Sequence, residues 1–295
     1  MTKFQVFDVF TKSPFGGNQL AVILDASDLA ERNLQAIARE FNFSETTFVF
    51  PPIDSKNNAR VRIFTPTSEI PFAGHPTIGT AIAIAQMTGE TTLVLELAVG
   101  PIECQVDLGK SSSARFTTKV PLMNFGEVEV KDIASCLGLD TSAVLSTTHS
   151  PQIASVGLPF ALVELASDAE LSKAMPVTDK FQIAETRYAN GIDMFAIFAY
   201  VKHGNDVNAR MFAPLNNIPE DPATGSAAAA LGAFISGIKQ QSMEFSINQG
   251  VDMGRPSRIN VATEFSNGAC NSVSISGSAV QTMRGELTFD LNTLS

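Results

Sequence analysis

The sequence predicts an α+β protein of two related halves, each a curved, mostly antiparallel sheet around one central helix. Similar stretches recur in the two halves, so each half holds one copy of the same unit. One segment of each copy is apolar on nearly all sides, which predicts a helix that is buried all round. The 295 residues also exceed the usual size of one domain. A plain two-layer sandwich is the alternative architecture.

The repeated unit begins as a strand and ends as a helix. The first copy, residues 62–86, reads RIFTPTSEIPFAGHPTIGTAIAIAQ, and the second, residues 210–234, reads RMFAPLNNIPEDPATGSAAAALGAF. Each copy puts small residues at the start of its helix, around Gly74 and Gly225. Free backbone N–H groups and the helix dipole favour a carboxylate or phosphate there. The matching loops therefore predict a shared site, with ordinary helix caps as the alternative.

Apolar alternation and β-branched or aromatic residues predict the strands, and a period near 3.6 residues predicts the helices. Ser27 is the expected cap of the first helix. The connector between the halves is placed at 121–127, and an extended tail at 283–291. The predicted strands are 4–10, 20–24, 43–50, 60–64, 91–97, 102–106, 114–118, parts of 153–165, 194–201, 209–212, 243–248, 257–262 and 273–280. The predicted helices are 27–41, 78–87, 130–137, 178–189 and 227–238.

These elements predict two domains. The N-terminal domain covers 1–118, and the segment 281–295 is expected to return to it. The C-terminal domain covers 119–280.

Composition excludes several classes of function. Apolar residues make up 44% and charged residues 17% of the chain, which is typical of a well-buried globular protein. The net charge of −10 argues against nucleic acid and against an anionic membrane surface as partners. The chain has three cysteines without a CxxC pair and no apolar run of membrane length. We therefore expect a cytoplasmic protein.

Cofactor and metal motifs are missing from the sequence. His149 and His203 have no partner at ligand spacing, so no metal site is expected. The first loop has P-loop glycine spacing without the lysine, and neither GxGxxG after a strand nor GxSxG occurs. Proton transfer on a small molecule, without a cofactor, remains.

Three side chains are candidates for that chemistry. Glu45 lies among phenylalanines in a predicted strand, where desolvation would raise its pKa and suit it to donate and accept a proton near neutral pH. The alternative is an exposed carboxylate at a strand edge. His75 lies inside the first small-residue loop and could orient a substrate or pass a proton, or simply bond to the backbone. Asp221 either caps the second helix or bonds a substrate amine.

Five stretches together resemble the phenazine-biosynthesis PhzF family, of the diaminopimelate epimerase-like fold. They read FDVFTKSPFGGNQLAV, FNFSETTFVFPP, RIFTPTSEIPFAGHPTIGTA, VGLPF and DPATGSAAAALG. The resemblance implies two pseudo-symmetric domains, each a barrel-like sheet around a central helix. It also implies a homodimeric, cofactor-independent isomerase of a small, cyclic amino- or hydroxy-acid.

The resemblance assigns roles to single residues. Glu45 matches the acid/base of the SETTF-like motif, and His75 and Asp221 match catalytic residues that line the substrate site. The residues expected to bind the substrate and its carboxylate are Asn18, Ala73, Gly74, Thr224, Gly225 and Ser226.

Related epimerases and racemases use two cysteines, one at each helix start. Ala73 and Thr224 stand at those positions here, so a two-thiol mechanism cannot operate. Two alternatives remain open: an amino-acid epimerase that uses other acid/base groups, and a catalytically silent protein that binds a small acid.

Overall fold

The computed structural model describes residues 2–189, 192 and 194–288. The chain divides into two compact units: the first holds the described residues up to Thr117 and from Ser276 onward, and the second runs from Thr118 to Ile275. Residues 289–295, the end of the segment predicted to return to the first half, lie outside the described residues.

The first unit contains a barrel around a central helix, and a second helix packs on its outside. The elements are β1 (Thr2–Val9), β2 (Asn18–Ile23), α1 (Glu31–Phe41), β3 (Glu45–Phe50), β4 (Ala59–Phe64), β5 (Glu69–Ile70), α2 (Gly74–Thr88), β6 (Thr92–Leu97), β7 (Gly100–Asp107) and β8 (Ser113–Thr118).

The second unit repeats this plan with additional helices. Its elements are β9 (Met123–Glu127), α3 (Val130–Leu137), β10 (Gln152–Ser155), β11 (Pro159–Glu164), α4 (Asp168–Lys173), α5 (Thr178–Tyr188), β12 (Ile197–His203), β13 (Asp206–Ala213), β14 (Ile218–Asp221), α6 (Gly225–Lys239), β15 (Glu244–Gln249), β16 (Ser257–Ser266) and β17 (Ala269–Leu287), whose residues from Ser276 onward belong to the first unit. Thr141–Ala143 and Pro214–Asn216 form single 3₁₀ turns.

Strand pairing closes the first sheet on itself. β1 pairs antiparallel with β2, β2 parallel with β3, β3 antiparallel with β4, and β4 parallel with β6. β6, β7 and β8 are antiparallel neighbours, and β17 pairs with both β8 and β1. Among the described residues these pairings make a closed barrel of eight strands, which surrounds α2 and removes every free edge from the ring.

The second unit follows the same order of pairings. β10 is antiparallel to β11, β11 parallel to β12, β12 antiparallel to β13, and β13 parallel to β15, which is antiparallel to β16. The helix between β13 and β15 is α6, just as α2 lies between β4 and β6. The two halves therefore share one topology, as the repeat in the sequence predicts.

The repeated Arg-x-Phe sequence has the same role in each unit. Arg62 donates two hydrogen bonds to Glu69, at 2.8 and 2.6 Å, and Arg210 does so to Glu220, at 2.8 and 2.7 Å. Each guanidinium also lies over the phenylalanine two residues along the strand. Paired charge-assisted bonds of this kind fix orientation as well as adding energy, so each pair ties its strand to the following hairpin.

Both central helices are buried, as their all-round apolarity predicts. They begin at Gly74 and Gly225, earlier than the predicted 78 and 227. Pro76 does not prevent this early start, because a proline in the first turn needs no N–H partner. Gly79 brings α2 close to the barrel, since a Cβ there would lie 2.6 Å from Leu20 Cδ2 and 2.8 Å from a valine of β1.

Two sequence-based expectations about elements are wrong. Ser27 does not cap α1, whose N-cap is Ala30 without a side-chain cap. The Ser27 N–H instead bonds Asp25 Oδ1, and the chain turns once more before the helix begins. The expected connector 121–127 contains β9, which pairs antiparallel with β10. Exposed residues and Gly126, with a φ of 113°, hid its strand pattern.

No helix in the described part of the chain combines the length and apolarity that a membrane crossing requires.

Candidate active site

The first unit brings together Asn18, Glu45 and His75. Glu45 is the first residue of β3, and His75 is the second residue of α2. The Glu45 Oε2 and His75 Nε2 atoms are 3.4 Å apart, and the side chains are only 14% and 4% exposed. The carboxyl group is therefore not the exposed strand-edge group that the sequence left open as an alternative.

One ring nitrogen of His75 is buried with its hydrogen-bonding capacity unsatisfied. Within the described residues, Nε2 has no hydrogen-bond partner, because its geometry towards Glu45 does not make a hydrogen bond. Burial lowers the pKa of His75 to about 3, and a hydrogen bond with the backbone of Gln19 acts in the opposite direction. The ring is thus neutral at neutral pH, and the contact with Glu45 is not an ion pair.

Two sets of hydrogen bonds hold this cluster in place. The buried hydroxyls of Thr47, on β3, and Thr80, on α2, are 2.9 Å apart. Because each lies near its catalytic candidate in sequence, this bond fixes Glu45 relative to His75. Ser44 Oγ donates to Asn18 Oδ1 at 3.0 Å, and Asn18 Nδ2 lies 3.4 Å from the imidazole Nδ1 of His75.

Asn18 owes its position to the glycine before it. Gly17 has a φ of 62°, and a Cβ there would lie 2.3 Å from the carbonyl oxygen of Val9. Only glycine tolerates that approach in the left-handed region. The loop is also anchored by Asp8, whose Oδ2 accepts the N–H of Phe15 at 2.7 Å.

The second unit contains a separate polar cluster around Asp221. This residue ends β14, and its Oδ2 accepts a hydrogen bond from Thr224 Oγ1 at 2.5 Å. Asp221 does not occupy the helix N-cap, which is Thr224, so the capping interpretation of Asp221 is wrong. Gln249, at the end of β15 and 0% exposed, completes the cluster with bonds to both residues.

Both central helices start in the same way. Ala73 and Thr224 are the N-cap residues of α2 and α6, and neither helix has a side-chain cap. The first N–H groups of a helix have no partner inside the helix. Gly74 lies in the first turn of α2, and Gly225 and Ser226 lie in the first turn of α6.

The cysteines lie away from both helix starts. Burial raises the pKa of Cys104 and of Cys136 to about 12, so both are protonated, and neither lies at a helix start. Cys270 lies in β17, away from both loops. No group of three or more His, Cys, Asp and Glu residues in the described ranges could hold a metal ion.

Sequence reasoning missed three positioning residues. Ser44, Thr80 and Gln249 are common residue types without a local motif, and their roles depend on partners 25 to 33 residues away. The only available signal was that Ser44 is next to Glu45 and that Thr80 lies in the repeated unit.

Comparison with known proteins identifies the family. The PhzC-PhzF family, described as phenazine biosynthesis-like protein, matches residues 7–285. An uncharacterized isomerase from Mesorhizobium japonicum is 36% identical over 96% of this chain and 98% of its own length. The trans-2,3-dihydro-3-hydroxyanthranilate isomerase of Pseudomonas aeruginosa is 32% identical over 97% of this chain and 99% of its own length. The chain therefore belongs to the PhzC-PhzF family.

A solved structure agrees with this assignment. The crystal structure of a PhzF-family phenazine biosynthesis protein from Bacillus anthracis covers 98% of this chain and 99% of its own, with a TM-score of 0.85 and 22% identity. This match confirms the predicted α+β fold with barrel-like sheets. The chain is an isomerase of the PhzF type, and its substrate is a small molecule.

Proposed function

We propose that the chain is a cofactor-independent isomerase of a small, cyclic amino- or hydroxy-acid, and that Glu45 carries the proton between two carbons. The observation that carries this proposal is the buried, unsatisfied Nε2 of His75 beside the carboxyl group of Glu45. An unpaired polar atom in the interior costs free energy. Such an atom is expected where a substrate completes the hydrogen bonds.

In the proposed mechanism Glu45 acts first as a base and then as an acid. Its carboxylate removes a proton from an activated carbon, and the resulting carboxyl group returns that proton to another carbon on the same face of the substrate. The reaction needs no redox partner, since the same proton leaves and returns. Low exposure of the side chain supports retention of the proton, because exchange with water would compete with its return.

His75 has a different role in the proposed mechanism. Because burial keeps the imidazole neutral, it can donate or accept a hydrogen bond without placing a charge beside the proton carrier. We assign it to orient the substrate and to assist at a hydroxyl group. Asn18, which contacts the ring, would bind substrate or fix the ring plane.

We further propose, on the family resemblance, that the second cluster binds polar groups of a substrate. Asp221 would accept a hydrogen bond from a substrate amine. The uncapped helix starts favour a carboxylate, through the helix dipole and the N–H groups of the first turn. The residues proposed to lie around substrate groups at these helix starts are Ala73, Gly74, Thr224, Gly225 and Ser226. At the start of α6 the donors would be the N–H groups of Gly225 and Ser226, since the N–H of Thr224 is bonded to Gln249.

The substrate class comes from the relatives. Two of them, from Pseudomonas aeruginosa and Pseudomonas chlororaphis, are named trans-2,3-dihydro-3-hydroxyanthranilate isomerase, at 32% and 33% identity. We therefore propose this cyclic amino acid, or a close analogue, as the first probe. We also propose a homodimer in the cytoplasm, on the family resemblance; light scattering after size exclusion would test the dimer.

The test compares Glu45→Gln with Glu40→Gln, which changes an exposed carboxyl group of α1 in the same way. With trans-2,3-dihydro-3-hydroxyanthranilate as the probe, Glu45→Gln should lower kcat about 10²-fold to 10⁴-fold, and the control should not. A Glu45→Gln variant as active as the wild type would refute the assignment.

Reaction in D₂O separates the proposed isomerase from an epimerase with oxygen acids. Movement of the proton to another carbon supports the isomerase. Deuterium at the original carbon with inverted stereochemistry would support the epimerase instead. A wild-type protein that leaves the probe unchanged would contradict the proposed substrate.

A further inference from the structure

Gln249 is hydrogen-bonded to the cluster around Asp221 through both ends of its amide. Its Nε2 donates to the carbonyl oxygen of Asp221 at 2.8 Å and to Thr224 Oγ1 at 3.0 Å. Its Oε1 accepts the backbone N–H of Thr224 at 3.1 Å. All of these bonds are buried, and the side chain is 0% exposed.

The directions of these bonds are forced by the partners. A backbone carbonyl only accepts and a backbone N–H only donates, so the orientation of the Gln249 amide is fixed. The hydroxyl of Thr224 has a single proton, which it gives to Asp221 Oδ2 at 2.5 Å. The hydrogen bonds are therefore donated in one direction, from Gln249 to Thr224 and from Thr224 to the carboxylate of Asp221.

The backbone is shaped to allow this contact. Gly250, next to Gln249, has a φ of 72°, and a Cβ there would lie 2.6 Å from the carbonyl oxygen of Pro222 and 2.5 Å from that of Arg255. Any other residue would push the end of β15 away from the loop that contains Asp221. The close approach that carries Gln249 into the cluster thus depends on this glycine.

These contacts also change the role of Thr224. Its N–H and its hydroxyl proton are both used inside the cluster, by Gln249 and by Asp221. Neither can be donated to a ligand. The donors left at the start of α6 include the backbone N–H groups of Gly225 and Ser226, which an α-helix does not satisfy internally.

We propose that Gln249 is a positioning residue for the isomerase reaction, which acts through Thr224 to hold Asp221 as an oriented, ionised hydrogen-bond acceptor. This inference rests on the proposed function, in which Asp221 binds the substrate. Gln249 itself does not touch the substrate. It determines which donors and acceptors the loop presents: a carboxylate from Asp221, and N–H groups from Gly225 and Ser226.

The first experiment uses a matched pair of amide-to-acid variants on β15. Gln249→Glu keeps the size of the side chain but removes the Nε2 donor and adds a negative charge behind Thr224. Asn248→Asp makes the same chemical change one residue earlier, where the side chain bonds Asn208 and Arg258 instead. With the same probe substrate, Gln249→Glu should lower kcat/KM at least about 10-fold.

The pH profile distinguishes positioning from a general structural role. The Thr224 hydroxyl donates to the Asp221 carboxylate, so loss of that bond favours protonation of Asp221, and the acid limb of kcat/KM should move to higher pH. Asn248→Asp should leave both the rate and the limb as in the wild type. A merely structural Gln249 would lower the melting temperature without moving the limb.

Substitutions of Thr224 test the same series of hydrogen bonds if Gln249→Glu does not fold. Thr224→Val removes the hydroxyl and keeps the shape, and should move the acid limb as Gln249→Glu does. Thr224→Ser keeps the hydroxyl and should retain most of the wild-type kcat/KM. Wild-type kcat/KM and an unmoved acid limb in Thr224→Val would overturn the proposal.

Hydrogen–deuterium exchange of the segment 221–227 gives a reading that needs no substrate. Exchange should be faster in Gln249→Glu than in Asn248→Asp, because Gln249 holds the N–H of Thr224 and the carbonyl of Asp221. Equal exchange in the two variants would overturn the positioning role. Failure of the Glu45→Gln test would count against the proposed function and leave this exchange result unaffected.

Discussion

The buried imidazole of His75 predicts an acid-sensitive first unit. Burial lowers its pKa from 6.5 to about 3, and the side chain is 4% exposed. In the unfolded chain the ring takes up a proton near pH 6.5, whereas in the folded protein it stays neutral down to about pH 3. Because the folded-state pKa is the lower one, stability is lost as the pH falls from about 6.5 towards 3.

The size of the effect follows from the separation of the two pKa values. Each pKa unit corresponds to about 1.4 kcal/mol, so complete protonation of the unfolded chain costs at most about 5 kcal/mol by pH 3. Between pH 7 and pH 5 the loss from this single group is about 2 kcal/mol. That is a large fraction of the free energy of unfolding of an ordinary domain.

Urea unfolding at pH 7 and pH 5 tests this prediction. The wild type should lose about 2 kcal/mol more than His75→Gln, which cannot titrate there. The result that would refute the reasoning is an equal loss in wild type and His75→Gln, or an imidazole NMR signal of His75 that titrates near pH 6.5.

Three further predictions concern the scaffold. Gly79→Ala should lower the free energy of unfolding by about 1–3 kcal/mol, because its Cβ would lie within 3 Å of two barrel side chains. The control is Gly237→Ala, whose Cβ meets nothing within 4 Å and which should stabilise the protein by about 0.5–1 kcal/mol. Equal melting curves for the two variants would contradict the packing argument. Arg210→Met should cost about 3–5 kcal/mol in urea unfolding, because it leaves the largely buried Glu220 without its partner, and Glu220→Gln added to it should recover part of the loss. Gly17→Ala should lower the melting temperature and kcat together, since a left-handed φ of 62° costs about 1–2 kcal/mol for alanine; unchanged kcat would show that the loop does not position the first cluster.

The fold was largely predictable because its signals are local and repeated. Two copies of one strand-helix pattern, each with a helix that is apolar all round, indicate two sheets that surround two helices. The predicted helix 130–137 matches α3, since a 3.6-residue period and a following glycine mark it clearly. The predicted connector 121–127 failed because β9 is a strand only through its pairing with β10, which no local pattern records.

Prediction of the candidate sites went only as far as residue identity. Glu45 and His75 were selected separately, by a carboxylate among phenylalanines and by a histidine in a small-residue loop. Their 3.4 Å approach depends on the Thr47–Thr80 bond between a strand and a helix 33 residues apart. Gln249 could not be selected at all, because a glutamine at the end of a strand has no distinguishing neighbours in sequence.

The sequence by itself determined the repeat, the two buried helices and the absence of thiols at both helix starts, because these are properties of residue type and spacing. The tertiary structure alone decided that His75 is neutral and unsatisfied beside Glu45, and that Gln249 and Thr224 direct their protons towards Asp221. Protonation and hydrogen-bond direction depend on burial and on partners brought together by strand pairing, and residue order does not contain that information.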